Sequence, residues 1–188
     1  MSTQTEKPKN ANRIKLENVR LSYPQLFTAK AMEGSKPKFS AVFLMQKKEH
    51  AGLIKRLEQM IERAMLDKFK KKVTLKNVCL HDGNDKEDKA GYGDEVMYLT
   101  AKSDTRPAVV DQKVVTVTEE DGKVYAGCYV NATVEIFAYE HPTGGKGVSA
   151  QLRAVQFVRD GESFGAGPVN ASDEFEPVAT DGDDEAFK

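Results

Sequence analysis

The amino-acid sequence predicts a mainly β fold, an antiparallel sheet or small barrel that carries one long helix. Three observations lead there. Only one segment, about 49–71, sustains a helical period. The other apolar segments are short runs or strict alternations of the kind strands make. Polar turns separate them, without the regular βα alternation of a doubly wound sheet. With 188 residues and 39% hydrophobic content, the chain has material for one core.

Residues 1–12 lack apolar periodicity and are expected to form a flexible arm before a folded domain over 13–169. In "RIKLENVRLSYPQLF", Ile14 and Leu16 share one phase and Val19 and Leu21 the other, so a bulge or turn is expected at Asn18. "KFSAVFLM" (38–45) is short and apolar enough for a buried strand. In the helical segment Leu53, Ile54, Leu57, Met60, Ile61, Ala64, Met65 and Phe69 form one stripe, and Lys68, Lys70, Lys71 and Lys72 suit the negative end of the helix dipole. "HDGNDKEDKAGYGDE" (81–95) reads as a charged loop, "VMYLTAK" (96–102) and "KVVTVT" (113–118) as strands, and "EEDGK" (119–123) as a hairpin turn. Two long strands are expected through 124–141 and 146–158, joined by "PTGGK".

Charge is unevenly spread. Of 28 Lys+Arg and 29 Asp+Glu, the stretch 170–188 holds 1 and 7, which leaves the body with 27 against 22. A mildly basic body tied to an acidic tail is the asymmetry expected where a polyanion and the tail compete for one surface. Cys79 and Cys128 show neither CxxC spacing nor a disulfide framework and read as reduced core residues of a cytosolic protein. The polar start has no signal-peptide core, and no apolar run approaches a membrane span. The expectation is a cytoplasmic chain without a membrane partner.

The segment richest in chemistry is "VYAGCYVNATVEIFAY" (124–139). Its even positions are small or apolar, while the odd ones place Tyr125, Tyr129, Phe137 and Tyr139 among polar residues. One face would build the core and the other would show four rings, which proteins seldom leave on a wet face without use. Single-stranded nucleic acid supplies the use, because every base has a π face to stack on a ring. A bend is expected at Gly127, so the rings on either side of it need not share a plane. In "EVMYLTAKSDTRPAVVD", Tyr98 and Lys102 fall on the face opposite Met97 and Leu99, and Arg106 follows. Lys36 and Lys38 come from a loop, and Arg153 from the outer face of the last strand. The candidate stackers are therefore Tyr98, Tyr125, Tyr129, Phe137 and Tyr139, with Lys36, Lys38, Lys102, Arg106 and Arg153 on the sugar-phosphate backbone.

"YLTAKSDTRPAVVD", "YAGCYVNATVEIFAY" and "GGKGVSAQLRAVQFVRDGESFGAG" resemble the motifs of a phage and prophage family of OB-fold single-stranded DNA-binding proteins, over roughly residues 13–167. The resemblance implies a five-stranded barrel elaborated with a helix, no catalysis and no cofactor. It also implies binding of single-stranded DNA during phage replication or recombination. Such proteins end in a disordered acidic tail with an aromatic tip. "DGDDEAFK" is similar, with Asp181, Asp183, Asp184 and Glu185 before Phe187, although Lys188 follows the ring. The tail at 170–188 would compete with DNA and offer Phe187 to replication or recombination proteins.

Two other readings stand beside this one. A metal-dependent nuclease would need converging carboxylates, for which Asp94, Glu95 and Asp111 are the candidates and Mg²⁺-dependent cleavage the sign. A phage structural or adaptor protein would use the aromatic face as a protein interface and form a stable oligomer. "GGKG" (144–147) lacks P-loop spacing, and His50, His81 and His141 form no paired motif.

Overall fold

Strand β1 (Arg13–Lys30) runs for 18 residues, three times the usual strand length, and two breaks let it wrap a barrel. The computed structural model describes residues 11–165; all but the end of the expected arm, and the whole acidic tail with its candidate residues, lie outside the described residues. The first break in β1 is at Asn18, which takes a positive φ of 52° while its register to the strand β7 (Tyr129–His141) slips between Leu16 and Val19. The extra residue returns Val19 and Leu21 to the core, as the phase switch predicts. The second break is at Tyr23-Pro24, where the register to β2 (Lys38–Gln46) shifts between Ser22 and Gln25.

The remaining elements are α1 (Ala51–Phe69), β3 (Asn77–Val78), β4 (Leu80–Asp82), a 3-10 turn (Gly83–Lys86), β5 (Val96–Ser103), β6 (Ala108–Val110) and β8 (Gly145–Arg159). Five strands close in the order β8-β7-β1-β2-β5, and β5 returns to β8 in a parallel contact through Ala101↔Ala150 and Lys102↔Gln151. Alanines at that seam let the two backbones approach. The result is the five-stranded barrel of an OB-fold. Inside lie Leu16, Val19, Leu21, Phe43, Met45, Leu99, Val130, Val134, Ile136 and Leu152, and α1 adds Ile54, Leu57, Ile61 and Met65 to the same core. The helix ends on Lys70, whose left-handed backbone lets its N–H reach the Leu66 carbonyl. His50 ties the helix start to the β1 bulge: its Nδ1 accepts the Gln46 N–H (3.1 Å), and its Nε2 lies 3.2 Å from the Asn18 carbonyl.

Several expectations change. Residues 113–118 are not a strand; they form a loop joined to β6 by one bridge, Val110↔Thr116. The cause is Asp111, whose Oδ1 accepts the amides of Lys113 (2.8 Å) and Val115 (3.0 Å) and so bends the chain into a turn. "EEDGK" consequently forms a turn between loop segments and not the centre of a hairpin. The strand expected from 124 starts only at Tyr129, because Gly127 turns the chain at φ 111° against the Glu162 carbonyl, where a side chain would collide. In β8 the alternation of Val148, Ala150 and Leu152 predicts Ala154 inside, but the register to β7 slips at Arg153, so Val155 and Phe157 take the core positions and Ala154 moves partly outward. The charged 81–95 segment also contains β4 and the 3-10 turn.

Candidate nucleic-acid interface

The outer face of β1, β2 and β5 is built from two halves of opposite character. At one end Val42, Leu44, Val96 and Tyr98 point away from the barrel, yet are buried by a small second cluster that Tyr92 and Phe164 cover. Phe164 belongs to the segment that follows β8 and returns along the barrel. Its N–H bonds the Ala126 carbonyl at 3.0 Å, and its ring lies against Gly91, where any side chain would collide with it. Arg20 clamps this return: its guanidinium stands 4.2 Å from the Phe164 ring centre and donates to the carbonyls of Gly127 (3.0 Å) and Glu162 (2.6 Å).

The tyrosines form a shelf on this cluster. Tyr98 is 4% exposed, stacked on His81 at 5.0 Å and met edge-on by Tyr92 at 5.2 Å. Tyr92 donates its hydroxyl to Ser22 Oγ at 3.1 Å, which fixes the ring. Tyr23 leans beside it with 6.5 Å between ring centres and is 51% exposed. Its φ of 44° is unusual for an aromatic residue, more so directly before proline, and such strain collects at functional positions. Burial pushes the Tyr92 and Tyr98 hydroxyls up, so both stay neutral phenols, and burial lowers the His81 pKa, which favours the uncharged ring against Tyr98.

The other end is a basic basin. Lys30, Lys36, Lys38 and Lys102 line one depression with Gln25 and Ser40, and Gln25 and Lys30 also border the adjoining depression at Tyr23 and Phe164. Rings and cations thus follow one another along a single groove. Lys38 shares its charge with Asp104 at 3.5 Å. Ser103, at the end of β5, is buried and bonded to Thr105, so its hydroxyl faces the turn and not the groove.

The sequence-predicted residues divide among several places. Lys36, Lys38 and Lys102 meet in the basin. Tyr98 lies beneath the shelf, 4% exposed, with its ring covered by His81 and Tyr92 where an open stacker is expected. Arg106 sits over Phe27 at 5.6 Å, beyond the end of β5. Tyr125 and Tyr129 secure the returning segment: the Tyr125 hydroxyl lies 2.9 Å from Asp160 Oδ1 and from the Gly161 carbonyl, and the Arg159 guanidinium covers the Tyr129 ring at 3.5 Å. Phe137 and Tyr139 pair on β7, 6.3 Å apart, with Phe137 41% exposed. Arg153 stands with them, sharing Glu135 with Arg13 at 3.6 and 3.7 Å. They line neither depression but stand on β7 and β8, where Gln151 joins Glu135 to Lys102 across the β5–β8 seam.

Nothing in the spacing singles out Tyr23, Tyr92, Phe164 or Arg20; only the Tyr-Pro break in β1 signals one of them. Of the carboxylates of the nuclease reading, Asp94 and Glu95 sit in the turn before β5, and Asp111 follows β6. Glu95 faces Lys48, Asp111 holds its own loop, and no group of three His, Cys, Asp or Glu among the described residues is placed to hold a metal ion.

Comparison with known proteins adds to this geometry. Residues 12–187 match the family described as the ssDNA-binding protein of Enterobacter phage Enc34. Putative protein p50 of Acyrthosiphon pisum secondary endosymbiont phage 1 is 39% identical over 178 residues, 89% of this chain and 94% of that one. The single-stranded DNA-binding protein of bacteriophage Enc34, in complex with ssDNA, superposes with a TM-score of 0.76 at 30% identity, over 85% of this chain and 96% of that chain. The bacteriophage T7 single-stranded DNA-binding protein gp2.5 shares the fold with a TM-score of 0.56 at 17% identity, over 89% of this chain and 98% of its own.

Proposed function

The chain belongs to the family of the Enterobacter phage Enc34 single-stranded DNA-binding protein, and from that premise we propose that it binds single-stranded DNA without sequence preference, through the groove across β1, β2 and β5. It is a binding protein, not an enzyme. The observation that carries the placement is the run of the Tyr23 shelf into the basin of Lys30, Lys36, Lys38 and Lys102. Bases stack on Tyr23 while phosphates follow the lysines, which is how sequence-tolerant single-strand sites divide the work. The same outer face, over the second and third barrel strands, is where OB-folds take oligonucleotides.

The acidic tail is the second part of the reading. Gly165, from which the chain continues toward residues 170–188, lines the Tyr23 depression. A polyanion tethered there is at millimolar local concentration and competes for the same lysines. Displaced by DNA, it offers Phe187 to replication or recombination proteins in the cytoplasm of the infected cell. The β7–β8 flank with Phe137, Tyr139 and Arg153 extends the DNA path or meets a protein; its rings lie outside the groove.

The test is a titration with oligo-dT and with duplex of equal length at two salt concentrations. Binding is expected to favour the single strand and to weaken steeply with salt. Tyr23→Ala should lose one stacked base, a loss of about 5- to 150-fold in affinity with the melting temperature unchanged. Equal affinity of Tyr23→Ala and the parent protein would move the site elsewhere, with the β7–β8 flank next in line.

A further inference from the structure

The tyrosine shelf has an occupant. The ammonium of Lys86 stands 5.8 Å from the ring centre of Tyr23, 5.7 Å from Tyr92 and 5.0 Å from Tyr98, a cation enclosed by three aromatic faces. Its position is built in by the turn that carries it. Asp82 caps the 3-10 turn by accepting the Asn84 N–H at 3.0 Å, and its other oxygen is held by Lys47 at 2.7 Å. The turn ends at Lys86 and delivers the side chain across the rings.

A lysine needs no such setting to stay soluble, and its ammonium stands over Tyr23, the one ring of the three that solvent reaches freely, leaving that residue 51% exposed. We infer that Lys86 is a displaceable stand-in for a nucleobase: it fills the tyrosine site in the free protein and moves its ammonium to a phosphate when a base stacks on Tyr23. This rests on the groove across β1, β2 and β5 being the DNA site. The exchange is favourable in both halves. A base stacked on tyrosine outcompetes the attraction between a ring and a partly hydrated ammonium. The freed cation then meets a phosphate on a flexible four-carbon stem, within reach of the base it has just admitted. Lys86 so acts twice in one binding event, as a competitor for the base and as a partner for the backbone.

That double role predicts a signature that a plain phosphate contact or a plain structural lysine lacks. The protein has six tyrosines and no tryptophan, so its intrinsic emission reports on tyrosines and should be quenched when a base stacks on the shelf. The experiment titrates the full chain, Lys86→Ala and Lys86→Gln with oligo-dT from low to high salt, following tyrosine emission. Loss of the phosphate contact should make the variants' slope of log affinity on log salt shallower by about 0.7. Loss of the competitor should make them bind tighter once salt has screened the phosphates. The lines should therefore cross: the variants are about threefold weaker than the parent at low salt and about threefold tighter at high salt, and Lys86→Arg restores the steep slope. Parallel lines, or variants weaker at every salt concentration, would overturn the exchange. Unquenched tyrosine emission in the parent protein at saturating oligo-dT would instead refute the placement of DNA on this groove. Melting curves of each variant separate these outcomes from a loss of fold.

Discussion

Val114 holds a positive φ of 63° at the tip of the loop that replaces the expected strand at 113–118, and its side chain is 70% exposed. A β-branched residue in the left-handed region costs about 1–2 kcal/mol, and so exposed a side chain recovers little of it by packing. Val114→Gly should stabilise the protein by about 1 kcal/mol and raise the melting temperature by roughly 2–4 °C. Val114→Ala, which keeps a Cβ, should gain less. A glycine variant that melts at or below the parent would show that the valine is held there by a contact its exposure does not reveal. The same position shows why the strand is not legible in "KVVTVT": the alternation is real, but Asp111 captures two amides ahead of any neighbouring strand. Tyr98 teaches the converse. Its phase in β5 is outward, as the sequence predicts, yet outward means covered here, because Tyr92 and Phe164 arrive from far along the chain.

The elements that sequence reveals best are those whose pattern is local. The stripe of α1, the phase switch at Asn18 and the inward set of β7 all follow from spacing, and all recur in the structure. What spacing does not carry is return traffic across the barrel. The segment after β8 folds back between Gly127 and Gly91, and it is this return, with the 81–95 segment, that makes the groove. The loop 111–123 yields a prediction at this scale. Hydrogen bonds from the amides of Val115 and Lys113 hold the Asp111 carboxyl below its ordinary value, aided by Lys123, and the Thr118 amide does the same for Asp121. Carboxyls with depressed pKa values stabilise the folded loop fully at neutral pH, and that contribution is lost as pH falls through their folded values, below 3.8. Amide exchange corrected for intrinsic rates should show Lys113, Val115 and Thr118 losing protection between pH 6 and pH 3, while the β7–β8 ladder keeps it. Uniform protection at both would mean that backbone pairing alone maintains the loop.

For the whole molecule the governing quantity is charge distribution, since a net of −1 conceals a body at 27 to 22 and a tail at 1 to 7. The basin lysines and Gly165, past which the chain continues, line adjoining depressions, and the proposed competition has tail and DNA drawing on the same cations. Two polyanions on one site cannot both be bound tightly, so on the proposed reading the tethered one would set the threshold the free one must pass. A protein ending at Pro168 should therefore bind oligo-dT more tightly than the full chain. The difference should be greatest at low salt and close as the ionic strength rises and the Debye length shrinks from about 30 Å toward 3 Å. The full-length chain with Asp181, Asp183, Asp184 and Glu185 changed to their amides should behave like the shortened one, because charge and not length is what competes. Changing Phe187 alone should leave DNA affinity untouched and weaken only the capture of partner proteins. If shortened and full-length chains bind equally at every salt concentration, the tail does not reach the basin. The asymmetry of charge would then serve partner recruitment alone.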